Sequence, residues 1–212
     1  MARHSTGEPE AESRPCLRLS PPTSDMSSPI LAAVLALAAP SGSEAHALAL
    51  DPERSEIRFV VDATMHKVRG TAQLVSGELR IDPTVGALDG KLVIDARSAD
   101  TGNRRRDRNM HEKVLRSEEF AEMTLTLESY RGAFDPEGSS ELAVRGSLRL
   151  LDQDHEIEMD VTVEVEGEAA VIVGRVELPY VDWGLERPGG FVLKVGPVVA
   201  VDVELRGVLT PD

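Results

Sequence analysis

Four arginines fall within five positions of the chain, at Arg104, Arg105, Arg106 and Arg108. Such a cluster can bind phosphate or carboxylate groups, on nucleic acid or on a small ligand. The chain as a whole carries a formal net charge of -14, which repels phosphate backbones at long range. Because the cluster is also short and lacks interleaved aromatic residues, we expect no nucleic-acid binding. We expect the arginines to pair with surplus carboxylates on the rim of the fold, and the alternative is contact with an anionic ligand group.

The histidines and carboxylates form no catalytic or metal-binding signature. His66 lies between two strand-like runs, where it could reach a polar ligand group, although a solvated turn is the simpler interpretation. His111 stands four residues after Asp107, a spacing at which two helical side chains can pair, and His155 is expected to be exposed. These histidines lack metal-ligand spacing, and the sequence contains no nucleophile elbow or phosphate loop. We therefore expect no catalytic residue, no metal and no cofactor.

Alternation of apolar and polar residues dominates the chain from residue 55 onward. The stretch 156–166, EIEMDVTVEVE, alternates without a break, and similar runs occur at 56–61, 70–74, 91–97, 123–128, 141–150, 172–178 and 199–206. A period of two predicts antiparallel strands with one wet and one dry face. About eight such strands close into a barrel or fold into a sandwich. Runs of about ten residues span about 34 Å at about 3.4 Å per residue, which favours a deep barrel.

An eight-stranded barrel either fills its interior with side chains or holds one small ligand. Aromatic residues make up only 3% of this chain, so medium-sized aliphatic side chains would leave an apolar cavity. The residues expected to line it, whose alternative role is plain core packing, are Phe59, Val61, Leu74, Leu92, Ile94, Leu125, Leu127, Val144, Leu148, Met159 and Val161. The residues expected at the mouth or in a lid are His66, Asn103, Arg106, Asp107, Trp183 and Phe191.

The arginine cluster belongs to the one segment that does not alternate. Thr101-Gly102-Asn103 is typical of a turn followed by a helix cap, and residues 104–116 are predicted to form a short helix. Arginines in a first helical turn oppose the helix dipole, so they need partners. We expect Asn103 to cap the helix, and Arg106 and Asp107 to fix the helix to the barrel.

The first 47 residues differ from the remainder of the chain. Residues 30–39 form an apolar run of ten, too short to cross a bilayer but suited to the apolar part of a secretory signal. Ala45-His46-Ala47 then offers a cleavage site of the A-x-A type. We expect a leader with a signal peptide at 1–47, with Met26 as an alternative start, and a barrel domain at 48–212. The alternative is a disordered tail with an alanine-rich segment.

Five short motifs together resemble the YceI-like family of exported, lipocalin-like lipid-binding proteins. They are SEIRF at 55–59 with VRG at 68–70, TGNRRRD at 101–107, GSL at 146–148 and DWGL at 182–185. The resemblance covers about residues 50–209. It implies an all-β fold, an eight-stranded antiparallel lipocalin-like barrel with one short helix inserted near 104–116. It also implies a long apolar tunnel, a polyisoprenoid or similar lipid as ligand, a periplasmic or secreted location and no catalytic residues.

The leading hypothesis is therefore a protein that binds a long apolar lipid chain for transport, storage or stress response. Its expected partner is a polyisoprenoid or other long-chain lipid, delivered from a membrane or a membrane protein, and the protein could be a homodimer. One alternative is an enzyme acting on a small apolar substrate, which would need a polar group buried among the aliphatic side chains. The other is a structural domain with a filled core.

Overall fold

Nine strand segments and one helical segment make up the part of the chain that the computed structural model describes, residues 45–64, 66–188 and 195–212. The expected leader before residue 45 and the proposed lid residue Phe191 lie outside these ranges. The strands are β1 (His46–Leu50), β2 (Glu56–Ala63), β3 (Lys67–Asp82), β4 (Ala87–Asp100), β5 (Glu122–Arg131), β6 (Ser139–Leu150), β7 (Gln153–Glu166), β8 (Ala169–Leu178) and β9 (Val195–Pro211).

These nine segments fill eight positions of a closed antiparallel barrel. β2 is followed around the barrel by β9, β8, β7, β6, β5, β4 and β3, and the pairing of β3 with β2 completes the circuit. β1 and β2 both lie between β3 and β9, so they are two halves of one strand interrupted at residues 51–55. The predicted eight-stranded barrel is confirmed, and β1 is an addition that the alternation pattern did not predict.

The alternation in the sequence becomes an inside and an outside in the barrel. Along β7, Met159, Val161, Val163 and Val165 are buried, and the acidic residues between them are largely exposed. The inward residues of all strands join into one hydrophobic core. Burial of each such aliphatic side chain stabilises the fold by about 1.5–3 kcal/mol. The outward carboxylates face solvent, which accounts for the acidic net charge without a functional role.

A β-bulge in β3 changes which residues point inward. Leu74 is buried, Val75 and Ser76 are both exposed, and Gly77 is buried again. The register against β4 shifts between Leu74 and Ser76, as expected for one extra residue in a strand. Beyond the bulge the inward positions are therefore odd-numbered, and they include Leu79.

The helical segment between β4 and β5 is shorter than predicted. An α-helix, α1, covers Arg104–Asn109, and a π-helical turn continues it over Met110–Val114. Arg116 adopts a φ of 46°, a left-handed conformation that ends the helix, so the predicted end at residue 116 is two residues too late. Within the described ranges no helix is long and apolar enough to span a bilayer.

Candidate functional site

The interior of the barrel contains a cavity of about 330 Å³. All eight strands from β2 to β9 contribute side chains to its wall, and so does the helical segment. The lining runs from Ile81 and Leu88, near the turn that joins β3 to β4, to Leu150 and Leu178 at the opposite end, where α1 lies. Its volume falls in the range of small-molecule sites, about 300–1,000 Å³. The cavity is therefore a lengthwise space bounded mainly by apolar side chains.

The structure places ten of the eleven predicted lining residues on the cavity wall, namely Phe59, Val61, Leu92, Ile94, Leu125, Leu127, Val144, Leu148, Met159 and Val161. Leu74 is different, because it is buried in the core beside the β3 bulge and is not part of the wall. Sequence reasoning missed Leu79 and Ile81, which do line the cavity. The alternation of polar and apolar residues around them was visible. After the bulge, however, the inward side chains stand at odd-numbered positions instead of even-numbered ones.

Glycine leaves room beside the cavity at two inward positions. The Phe59 ring packs directly over Gly70, where a Cβ atom would collide with the ring and lie 2.6 Å from the Asp100 carbonyl oxygen. A Cβ at Gly174 would lie 2.8 Å from Val161 Cγ1. Both glycines let neighbouring side chains lie against the barrel wall instead of projecting further into the cavity.

A polar network fixes α1 to the end of β4. Asn103 caps the helix, because its side-chain oxygen accepts hydrogen bonds from the backbone N–H groups of Arg105 and Arg106, both at 3.2 Å. The Asp107 carboxylate accepts hydrogen bonds from the Thr101 hydroxyl and from the backbone N–H groups of Thr101 and Asn103, the latter two at 3.0 Å. Partial burial alone would raise the pKa of Asp107, but these hydrogen bonds lower it below its ordinary value.

Arg106 also forms hydrogen bonds with Thr101. Its Nε donates to Thr101 Oγ1 at 2.6 Å, and its Nη2 donates to the Thr101 carbonyl oxygen at 2.8 Å. Arg106 is half-buried and lines the cavity. Arg106 and Asp107 thus hold α1 in place through Thr101, and neither is paired with the other.

The expected ion pairs of the arginine cluster do not occur among the residues that the structure describes. Arg104, Arg105 and Arg108 are exposed, and no member of the cluster forms an ion pair with a residue in the described ranges. On the barrel wall, by contrast, arginines pair with nearby carboxylates. Arg145 forms an ion pair with Glu158, which stands directly opposite it on the neighbouring strand, β7. Directly opposed residues on neighbouring strands lie at about 5 Å, which places these two side chains within reach of each other.

A second hydrophobic cluster lies at the end of the barrel that carries α1, which we call the α1 end. Val114 of the π-helical turn packs there with Leu150, Tyr180 and Leu185. The Tyr180 hydroxyl donates a hydrogen bond to the Gly196 carbonyl oxygen at 2.7 Å, and burial raises the pKa of this tyrosine. The loop after β8 is thereby held against the helical segment.

Trp183 belongs to this loop and lines the cavity. Its indole stacks on the His155 imidazole, with ring centroids 4.2 Å apart and an angle of 8° between the planes. His155 is half-buried, so the expectation that it is exposed is wrong. Its Nε2 is buried without a hydrogen-bond partner in the described part of the chain. No local signal predicted this contact, because it joins β7 to a loop about 30 residues away.

The remaining predicted polar residues stand apart from the cavity. His66 is exposed in the turn before β3 and is not on the wall, and Asn103 and Asp107 serve the helix cap. His111 bonds through Nδ1 to the Ser117 hydroxyl at 2.9 Å and not to Asp107, as its spacing had suggested. No cluster of three or more metal-ligating side chains occurs within the residues that the structure describes.

A closed barrel of eight long antiparallel strands around an apolar cavity defines the lipocalin-like class of protein. The model of the YceI-like domain matches residues 48–207 of this chain. The chain therefore belongs to the YceI-like family. Among curated proteins none matches the chain.

Solved structures share the fold at low sequence identity. BcnA of Burkholderia cenocepacia is 17% identical with a TM-score of 0.64, and the match covers 74% of this chain and 98% of that one. A polyisoprenoid binding domain from Saccharophagus degradans, implicated in plant cell wall breakdown, is 19% identical with a TM-score of 0.59 over 77% and 98%. The YCEI protein of Campylobacter jejuni is 15% identical with a TM-score of 0.54 over 68% and 86%.

Proposed function

We propose that this protein binds one long apolar lipid chain, of polyisoprenoid or similar type, inside the barrel. The observation that carries the proposal is the lengthwise cavity, whose wall is mostly apolar from Ile81 to Leu178. Membership of the YceI-like family and the polyisoprenoid-binding domain among its structural relatives support the same ligand class. An apolar chain suits such a wall, since it buries hydrocarbon against mostly apolar side chains.

The energetics favour a chain of several isoprene units. Burying one five-carbon unit contributes about 4 kcal/mol at about 0.8 kcal/mol per carbon. Three units approach about -12 kcal/mol, which is nanomolar affinity, before the cost of ordering the chain is subtracted. Carbons beyond the length of the cavity add no buried area, so the cavity sets the preferred chain length.

We further propose that the protein is exported to the periplasm or secreted, and that it carries or stores its lipid there. The apolar run at 30–39 and the cleavage site at 45–47 support export. A cut after Ala47 would remove His46 and Ala47 from the start of β1 and retain Leu48, which is only 2% exposed. A membrane or membrane protein would then supply the lipid.

Binding is a better account of the cavity than catalysis or a structural role. An enzyme would need a general acid, base or nucleophile beside the substrate. Of the polar wall residues, Thr101 and Arg106 are engaged in the α1 network and Tyr180 in a hydrogen bond to Gly196. A purely structural domain would have a filled core, so a cavity of about 330 Å³ supports a ligand site over that alternative.

Titration of lipid-free protein with geraniol, farnesol and geranylgeraniol tests the proposal. Trp183 is the only tryptophan of the chain and lies on the cavity wall, so its fluorescence reports occupancy directly. We expect saturable binding with one site per chain, and an affinity that rises with chain length and then levels off. Absence of a saturable change for all three alcohols would refute the proposed function.

A further inference from the structure

The helical segment between β4 and β5 has two faces of different chemistry. The residues of this segment that line the cavity are Arg106, Asn109, Met110 and Val114. Its exposed residues, which we call its outward face, are Arg104, Arg105, Arg108, Glu112 and Lys113. Within each set, neighbours recur at intervals of about three or four residues, as expected for opposite sides of a helix. The segment therefore lies between the cavity and the surroundings of the barrel, with four cations on its outer side.

The arginines of the outward face are not neutralised by carboxylates of the barrel. Within the ranges that the structure describes, Arg104, Arg105 and Arg108 form no ion pair. The wall arginines Arg145 and Arg175, by contrast, each hold a carboxylate on the neighbouring strand. Three exposed guanidiniums without counter-charges produce a local positive potential on an otherwise acidic protein.

The two ends of the barrel differ in charge. The connection 101–121, at the α1 end, contains six basic and four acidic residues. The connections at the opposite end, 83–86, 132–138 and 167–168, contain three carboxylates and no basic residue. An anionic surface that approaches the barrel along its axis therefore meets cations at the α1 end.

A membrane that contains anionic lipids fits the outward face. Such a surface attracts basic residues that come within about one Debye length, roughly 8 Å at physiological salt. The acidic barrel wall extends away from the α1 end, so its repulsion is largely screened at that range. The outward face also carries no aromatic side chain on which bases of a nucleic acid could stack.

We propose that the outward face of the helical segment docks the barrel on an anionic membrane surface, so that an apolar chain passes between the bilayer and the α1 end of the cavity. The transfer step rests on the proposed function, whereas the docking step needs no ligand in the cavity. This proposal separates the roles of the arginine cluster, because Arg106 holds the segment through Thr101 while its three exposed neighbours contact lipid headgroups.

Cosedimentation with vesicles free of prenyl lipid tests the docking step. One set of vesicles is phosphatidylcholine alone, and the other contains equal parts of phosphatidylcholine and phosphatidylglycerol. We expect wild-type protein to bind the anionic vesicles and not the neutral ones. Salt at about 1 M, where the Debye length is about 3 Å, should release it.

Variants of the outward face locate the contact. The triple variant Arg104→Gln, Arg105→Gln, Arg108→Gln should bind anionic vesicles about a hundredfold more weakly, at about fivefold for each arginine. Arg108→Gln alone should show the fivefold loss, and it carries the test if circular dichroism shows that the triple variant does not fold. Glu112→Gln removes the one carboxylate of the outward face and should strengthen binding.

The matched control removes three exposed cations from other parts of the barrel. Arg54 precedes β2, Arg80 lies near the opposite end of β3, and Lys91 lies on β4. The triple variant Arg54→Gln, Arg80→Gln, Lys91→Gln has the same net charge as the triple variant of the outward face. It should bind anionic vesicles nearly as tightly as wild type.

Uptake of geranylgeraniol from the same two kinds of vesicle tests the transfer step. The fluorescence of Trp183, which lies on the cavity wall, follows the filling of the cavity with time. Wild-type protein should fill faster from anionic than from neutral vesicles. The triple variant of the outward face should lose this difference in rate, while its final occupancy stays that of wild type.

Three outcomes would overturn the inference and leave the proposed function intact. They are equal binding of wild type to neutral and anionic vesicles, equal loss of binding in the two triple variants, and equally tight, arginine-dependent binding of duplex DNA, which would indicate a general polyanion site. Failure to take up geranylgeraniol from vesicles that the protein binds would instead refute the proposed function.

Discussion

Placing a carboxylate on the cavity wall should abolish lipid binding in a pH-dependent manner. Leu125 is 9% exposed, lines the cavity and pairs with Leu92 and Leu148 on the adjacent strands. In ligand-free Leu125→Asp, water in the cavity can solvate the carboxylate, and the loss of the leucine costs about 2–5 kcal/mol of stability. A bound farnesol removes that water, so the carboxyl group must be neutralised before the chain can enter.

The size of the loss in farnesol affinity follows from the ordinary pKa of aspartate, about 3.9. At pH 7 the solution is about three units above this pKa. Protonating the carboxylate therefore costs about 4 kcal/mol, at about 1.4 kcal/mol per unit. The Kd for farnesol should therefore rise about a thousandfold. At pH 5 the difference between the pH and the pKa is only about one unit, so the Kd for farnesol should rise only about tenfold.

The matched control is Thr126→Asp, which adds the same charge to the next residue of β5, on the exposed face. Fluorescence titration of wild type and both variants with farnesol at pH 7 and pH 5, with circular dichroism to verify folding, measures the effect. Wild type and Thr126→Asp should change little between the two pH values. If Leu125→Asp binds as tightly as Thr126→Asp at pH 7, or if its deficit is the same at pH 5, the assignment of the inner face is refuted.

Three further predictions concern the α1 network and the leader. Arg106→Ala should lower the free energy of unfolding by about 1–3 kcal/mol, because two charge-assisted hydrogen bonds to Thr101 are lost. Arg105→Ala should change it by less than about 0.5 kcal/mol. Equal melting temperatures of the two variants would contradict this prediction. Because the folded pKa of Asp107 is lowered, its stabilising contribution is complete above the unfolded pKa and is lost as the pH falls through the lowered folded pKa. Acid titrations of unfolding should therefore show a smaller pH dependence below about pH 4 in Asp107→Asn than in wild type, and identical profiles would argue against it. N-terminal sequencing of protein from its native host should begin near Leu48, and an intact chain starting at Met1 would overturn the proposal of export.

The barrel was predictable because its strands repeat one simple pattern. In β7 every second residue from Ile157 onward is apolar, and the structure buries those from Met159 to Val165. β1 escaped prediction because it is only five residues long and overlaps the expected leader, so it has too few alternations to stand out. The bulge in β3 escaped because one extra residue changes the face of everything beyond Leu74 without changing composition.

The α1 end was less predictable than the barrel wall. Its N-cap follows from a local motif, and Asn103 does cap the helix. The stacking of His155 on Trp183 depends on how a loop folds over the barrel, and a period of two in the strands does not specify this. The arginine cluster was assigned ion pairs because carboxylates are abundant. An ion pair requires a carboxylate that faces the guanidinium, as Glu158 faces Arg145 across β6 and β7, and abundance alone does not supply that geometry.

Native mass spectrometry of the intact protein, purified from its native host without detergent, tests the central claim most directly. The account predicts a species heavier than the polypeptide by the mass of one long-chain lipid, which disappears after extraction with organic solvent and reappears when the extract is added back. Polypeptide at its bare mass alone, both as purified and after incubation with prenyl lipids, would contradict the claim that the cavity is a lipid-binding site.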